Sequence, residues 1–295
     1  MNREYRIGIL EIGIAALVMS FSGPLIRWAG ISAGAMTFVR CAIPTLILGT
    51  WLLLHRQIEW LGKKTLWLLL ASTLNAVRMW LFFESYRITS MGNAVIVLYS
   101  WPVFALIYSY FLLGESLKKR DFILMGLAFV GMAIVYSGGN LSFSNRDFLG
   151  MSLMLASALM YALMIVLIRR ENVERLQATF WQNLVGSLAY FPVFIRALSS
   201  TPPESWFLAG LNGLIVGTGA FALFFSALRR LPAAVVGHVA YLEVVFTLIW
   251  GMMIFREPVS WRHITGGCLI VISMMIRAEL ARRNQSRPEL AKSTV

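Results

Sequence analysis

Charge is scarce in this chain. Only 14% of its 295 residues are Asp, Glu, Lys or Arg, and 58% are hydrophobic. Soluble domains run nearer about 25% charged and 45–50% apolar. A soluble fold of this length cannot hide so much apolar surface, so lipid must solvate much of it. Histidine and cysteine are scarcer still. His55, His238 and His263 are scattered, and no His-Glu-x-x-His or phosphate-cradling glycine loop exists. The sequence therefore offers no metal set, no nucleophile–base pair and no cofactor motif, and the expectation is no enzyme, no metal and no cofactor. Cys41 and Cys268 both sit inside apolar runs, as small core residues do. Long polar gaps are absent too, which leaves no room for an extramembrane domain. A channel would need a continuous polar lining, whereas the polar intramembrane positions cluster near mid-depth.

What is present is a series of apolar runs, each close to the ~20 residues that cross a bilayer. Ten are expected: 7–27, 33–54, 66–88, 91–113, 121–139, 148–168, 175–197, 206–228, 233–255 and 263–281. The first follows Arg3 and Arg6 like a signal peptide, yet no small-x-small cleavage site clearly follows it, so it reads as a retained helix. The net charge of +12 is spread over the connections rather than gathered in a basic domain, which argues against nucleic acid as a partner. With the N-terminus, the even-to-odd connections and the C-terminal tail on one side, that side holds 18 Lys and Arg and the other holds 6. By the positive-inside rule both termini are expected in the cytoplasm of a multi-pass protein of the cell (inner) membrane. The expected partners are the lipid bilayer and a small-molecule substrate, with a monomer as the assembly state.

The sequence also repeats. A shift of 142 residues lays Arg27 on Arg169, Thr37 and Phe38 on Thr179 and Phe180, and Arg87 on Arg229. The same shift lays Tyr99 on Tyr241, Phe104 on Phe246 and Glu115 on Glu257. Each copy then holds five spans, and an odd number forces the second copy to enter from the opposite side. The expected fold is an all-α integral membrane protein of ten transmembrane helices in two inverted five-helix repeats. Residues 1–140 form the first repeat, 141–283 the second, and 284–295 a basic cytoplasmic tail. Such symmetry places a substrate site near the midplane between the halves.

Several local patterns carry a family resemblance. Ser85-Tyr86-Arg87 leading into Met91-Gly92-Asn93-Ala94, then Ser100-Trp101-Pro102-Val103-Phe104 and Gly114-Glu115, resemble the EamA-type branch of the drug/metabolite transporter superfamily. In the second half Leu242-Glu243-Val244-Val245-Phe246 and Glu257 resemble the matching pattern, with Val244 in place of its proline. Arg40 stands where that family commonly has an arginine. The resemblance implies ten helices and transport. Around Tyr99 and Trp101 it leans toward aromatic amino acid exporters, although Leu98 and Ser100 depart from their motif.

Intramembrane polar residues mark the candidate site. The nine Leu, Val and Phe residues from Leu66 to Phe83 supply roughly −3 to −5 kcal/mol of insertion energy. Arg78, in their midst, costs ~2.5–3.5 kcal/mol and must face a partner or water. Asn75, Arg78, Phe82 and Ser85 are spaced to share one helical face. Arg78 is thus a substrate-carboxylate ligand, or a structural residue that pairs with Glu84 or caps a carbonyl. Arg40 and Glu84 are expected as structural intramembrane charges, at depths that permit their pairing. Pro102 frees the carbonyl of Leu98, and Tyr99 and Trp101 beside it read as cavity wall. Glu243, which the repeat sets opposite Trp101, is expected near mid-membrane as a proton-coupling group or as the partner of Arg78 or of a substrate ammonium. Tyr241, Tyr161, Trp181 and Asn183 are further substrate-site candidates, and His238 a second coupling candidate. Glu115 and Glu257 read as structural helix-end residues, and Gly213 and Gly217 as a helix-packing pair. Amino acids or related amphiphiles lead as cargo, with cationic drugs as the alternative.

Overall fold

The structure is a computed structural model that describes residues 3–56, 65–115, 117–137, 145–171, 174–231 and 233–292. Helices run α1 (Arg3–Ser20), α2 (Ser22–Ala29), α3 (Ala33–Leu54), α4 (Thr65–Ile88), α5 (Met91–Leu98), α6 (Trp101–Leu113) and α7 (Lys119–Tyr136). They continue as α8 (Arg146–Glu171), α9 (Arg175–Leu198), α10 (Pro203–Leu211), α11 (Phe221–Arg230), α12 (Ala233–Ala240), α13 (Leu242–Phe255) and α14 (Trp261–Lys292). Between α10 and α11 the backbone winds as a π-helix over Asn212–Ala220. No strand occurs among the described residues.

Six runs are long and apolar enough to cross a membrane: Arg3–Ala29, Ala33–Leu54, Leu66–Ile88, Met91–Leu113, Arg146–Glu171 and Pro203–Arg230. The ninth expected span is interrupted at Tyr241, which leaves the shorter apolar helix Leu242–Phe255. In α9 the apolar run is diluted by Gln177, Gln182 and Asn183. The last helix continues to Lys292, well past the expected span end at 281. The expected boundary between residues 140 and 141 lies outside the described residues.

The surface is inverted relative to a soluble protein. Leu46, Leu54, Phe111, Ile123, Phe207 and Met253 point outward, while Arg40, Asn75, Gln177 and Asn183 are buried. Apolar surface on this scale requires a partner phase, and lipid supplies it.

Helix boundaries recur at the spacing found in the sequence. Ala33 and Arg175 open corresponding helices 142 residues apart, as do Met91 and Ala233, and Lys119 and Trp261. The ends match as closely. Gly114 and Arg256 both adopt left-handed backbone conformations, with φ of 69° and 53°. The next N–H, of Glu115 or Glu257, bonds back to the carbonyl of Ser109 or Gly251, so both helices close with the same cap. Packing between elements is paired in the same way. Helix α4 lies along α8, and its counterpart α11 lies along α1. Helix α6 packs on α8, and α13 on α1, while α3 packs on its own counterpart α9 and α7 on α14.

Both the fourth and ninth expected spans break in the middle, and the breaks differ in cause. Between α5 and α6, Pro102 has no N–H to give to the carbonyl of Leu98. Between α12 and α13, Val244 has an N–H, but it bonds to Tyr241 O at 3.1 Å rather than one residue farther back. The carbonyl of Ala240 is thereby released and accepts the hydroxyl of Tyr99 at 3.1 Å. A cross-half hydrogen bond thus satisfies what the broken ladder leaves open.

Candidate functional site

The broken helices meet at a cavity of about 540 Å³. Tyr99 and Tyr241, one from each break, touch with ring centroids 5.2 Å apart. Since the two are equivalent under the repeat, their contact puts the local symmetry axis through the cavity wall. Other lining residues also come in equivalent pairs: Met19 with Tyr161, Met79 with Phe221, Phe82 with Phe224, and Trp101 with Glu243. Both halves build one pocket.

Three charged side chains line it, Arg40, Arg78 and Glu243. None of them has an ion-pair partner among the described residues. Nε of Arg78 donates to Oδ1 of Asn75 at 3.0 Å, and its guanidinium lies 4.3 Å from the centre of the Tyr161 ring. Its other N–H groups have no acceptor among the described residues. Arg40 lies over the Phe221 ring at 5.5 Å and is buried, yet no described residue accepts any of its hydrogen bonds. Oε2 of Glu243 accepts the Tyr99 hydroxyl at 2.7 Å. Tyr99 therefore divides its contacts between that carboxylate and the freed carbonyl of Ala240. Trp101 packs edge-on against Tyr161 at 5.1 Å, forming the aromatic wall beside Arg78.

Glycine makes room for this charge. A Cβ at Gly217 would lie 2.6 Å from Nη1 of Arg40, and one at Gly213 would lie 2.7 Å from Cδ1 of Ile43. Both glycines belong to the π-helical stretch, where the backbone comes close to α3. The expected packing pair is confirmed in kind, and Gly217 has the added effect of leaving space for a guanidinium. A π turn widens the helix and shifts the register of everything after it, a feature found often at functional sites.

Sequence candidates now sort by position. Arg78, Phe82, Tyr99, Trp101, Tyr161, Tyr241 and Glu243 line the cavity. Asn75 stands behind, positioning Arg78. Ser85 is fully buried outside the cavity lining, and its Oγ has no hydrogen-bond partner among the described residues. Trp181 is turned away, packed edge-on with Phe180 in a cluster with Leu52 and Leu68. Asn183 donates to the carbonyl of Thr179 on its own helix. Trp181 thus meets α3 and α4 rather than the cavity, and Asn183 is not in the cavity lining. Glu84 pairs with Arg87 one turn later at 2.6 Å, so it joins neither Arg40 nor Arg78. The side chain of His238 lies outside the described residues. Arg40 was expected as half of a structural pair and instead faces the cavity. Sequence reasoning missed Phe221 and Phe224, although the 142-residue shift from Met79 and Phe82 points to both.

Comparison with known proteins agrees with this architecture. The profile of the EamA-like transporter family matches residues 6–137 and again 148–277, so the second match starts 142 residues after the first. Solute carrier family 35 member G1 of Mus musculus is 21% identical over 90% of this chain and 77% of its own length. The pseudopaline exporter CntI of Pseudomonas aeruginosa is 24% identical over 90% of this chain and 94% of its own. The S-adenosylmethionine uptake transporter of Rickettsia prowazekii is 24% identical over 62% of each. A solved crystal structure shares the fold, with TM-score 0.60 at 19% identity over 92% of this chain and 96% of that one. Together the two profile matches take in most of the sequence: the chain is a multi-pass membrane protein and belongs to the EamA-like transporter family.

Proposed function

We propose that this protein exports small organic metabolites of the amino-acid kind across a cell (inner) membrane, by alternating access around the central cavity. In this reading ten spans form two five-helix halves of opposite orientation, both termini are cytoplasmic, and one copy suffices. The paired helix boundaries and the Tyr99–Tyr241 contact support the two halves. Relatives named for pseudopaline export and S-adenosylmethionine uptake support a small-molecule cargo.

The observation that carries the cargo class is the charge of the cavity. Two guanidiniums without ion-pair partners among the described residues, Arg40 and Arg78, line the cavity together with one carboxylate, Glu243. Guanidinium N–H groups that open on a cavity without a protein acceptor are available to a ligand or to water. A planar fork of donors suits a carboxylate. Aromatic walls would also hold an apolar cation, but two arginines repel one. The expected preference in proteoliposomes holding the purified chain is therefore acidic amino acids first, neutral ones second and cationic drugs last. Labelled-substrate uptake with each class as competitor measures the order. A cationic compound competing better than glutamate would remove the amino-acid reading in favour of drug export.

A further inference from the structure

Two ion pairs join the halves, and the repeat makes them one motif used twice. Arg27 pairs with Glu257 at 2.5 Å, and Arg169 pairs with Glu115 at 2.5 Å. Arg169 is the equivalent of Arg27, and Glu257 of Glu115, so each pair takes its arginine from one half and its glutamate from the other. Along a ten-span path the two pairs lie at opposite faces of the membrane.

Their surroundings differ. Besides Glu257, Arg27 donates from Nε to the carbonyl of Tyr86 and from Nη2 to that of Thr89. Those are end carbonyls of α4, which have no intrahelical donors and favour a cation. Oε2 of Glu257 accepts the N–H of Met91 at 2.8 Å, which caps the first residue of α5. One arginine and one glutamate thus bolt together the end of α2, the α4–α5 junction and the end of α13. The twin makes none of these extra bonds among the described residues, and its side chains are 62% and 38% exposed, against 19% and 16%.

The cavity is lopsided in the same sense. Ser22 and Phe83 line it on the Arg27 side, while Leu106, Leu228 and Val236 carry it farther along the helices toward the Arg169 end. Their equivalents toward the Arg27 end, Leu248, Tyr86 and Ala94, are absent from its lining, and Tyr86 and Ala94 are buried at 2% and 0% exposure. The tight ion pair stands where the cavity is closed, and the loose one where it extends.

From this we infer that Arg27–Glu257 and Arg169–Glu115 are alternating latches, each closing one face of the transporter while its twin is slack. The inference rests on the alternating-access reading and specifies its closed contacts. Exchange of the halves' conformations gives the other state. Arg169 then caps the carbonyls of Leu228 and Leu231, Glu115 caps the N–H of Ala233, and Arg27–Glu257 loosens. Both ion pairs are closed at 2.5 Å here, so each latch contributes through the capping bonds and the burial it has in one state and not the other, which is what a shift of population requires.

Thiol accessibility tests this on the full chain in membranes, in a background with Cys41 and Cys268 changed to Ser. Leu106→Cys and Leu248→Cys are equivalent positions on the two sides, and a polar alkylating reagent reacts only where water admits the thiolate. With both latches intact, Leu106→Cys reacts and Leu248→Cys does not. Adding Glu257→Gln raises labelling at Leu248→Cys by roughly tenfold and lowers it at Leu106→Cys, whereas adding Glu115→Gln does neither. Glu257→Asp, which keeps a carboxylate for Arg27 and for the Met91 N–H, shifts the pattern less than Glu257→Gln, which separates the latch from a folding defect. Unchanged rates at both positions, or a rise at both, overturn the proposal. No substrate is needed, so a wrong cargo leaves this result standing; transport without any labelling shift sinks the latches alone.

Discussion

Replacing Arg78 by Gln is expected to weaken carboxylate-bearing substrates by about 30-fold or more in KM, with little change in the amount of folded protein. Among the described residues Asn75 and the Tyr161 ring are the neighbours of the Arg78 charge, and the side chain lines the cavity. Truncating one partner of a buried, hydrogen-bonded charge pair costs roughly 2–5 kcal/mol, and about 1.4 kcal/mol is a factor of ten. Removing an intramembrane charge with no ion-pair partner also relieves an insertion penalty of ~2.5–3.5 kcal/mol, so the variant should not be unstable. The loss should be specific: amides of the same substrates, lacking the carboxylate, bind the variant and the wild type alike. Competition uptake with an acid and its amide separates the two outcomes. Equal affinity for the acid in both proteins would make Arg78 a structural residue.

The second large effect concerns coupling. Glu243 accepts one hydrogen bond, from Tyr99, and has no cation beside it among the described residues. Away from water the carboxyl is tolerated only when a proton, or a cationic group of the cargo, neutralises its charge. Glu243→Gln keeps the shape and the contact with Tyr99 but cannot exchange a proton. The expected result is that an imposed pH gradient, which accelerates the wild type, leaves the variant's rate unchanged. Exchange of labelled for unlabelled substrate at equal pH should continue. Tyr99→Phe should weaken the gradient response less, since it removes one neutral donor worth about 1 kcal/mol. A gradient effect of full size in Glu243→Gln would exclude this carboxyl as the proton carrier.

Much of the architecture could be read from the residues because hydropathy and symmetry are both recorded in one dimension. Helix starts at Ala33, Met91, Arg175 and Ala233 fall at the ends of apolar runs. The 142-residue shift appeared in a few polar and aromatic matches before any contact was known. Directions were harder to read than depths. Arg78, Tyr99 and Trp101 could be assigned because a proline or a neighbouring polar stripe fixed their face. Arg40 has no such stripe on α3, so only its level was evident, and the structure turns it onto Phe221 and Gly217. Trp181 and Asn183 were named from residue type alone, with no pattern to fix their face, and neither is in the cavity lining. The π turn at Asn212–Ala220 has no sequence signature, and it rotates Phe221 and Phe224 relative to an unbroken α-helix. The latch pairs were half legible: the 142-residue shift matches Arg27 with Arg169 and Glu115 with Glu257, but nothing in a linear pattern shows which arginine meets which glutamate.

Phe82 and Phe224 provide the most direct test of the claim that two equivalent halves face one substrate. Each is changed to Cys in turn, in the chain freed of Cys41 and Cys268, and alkylation is followed as a labelled acidic amino acid is added. One cavity between paired walls predicts that substrate protects both positions, with half-protection at the same concentration. Protection of one position without the other, or of neither at a concentration that saturates transport, would contradict it.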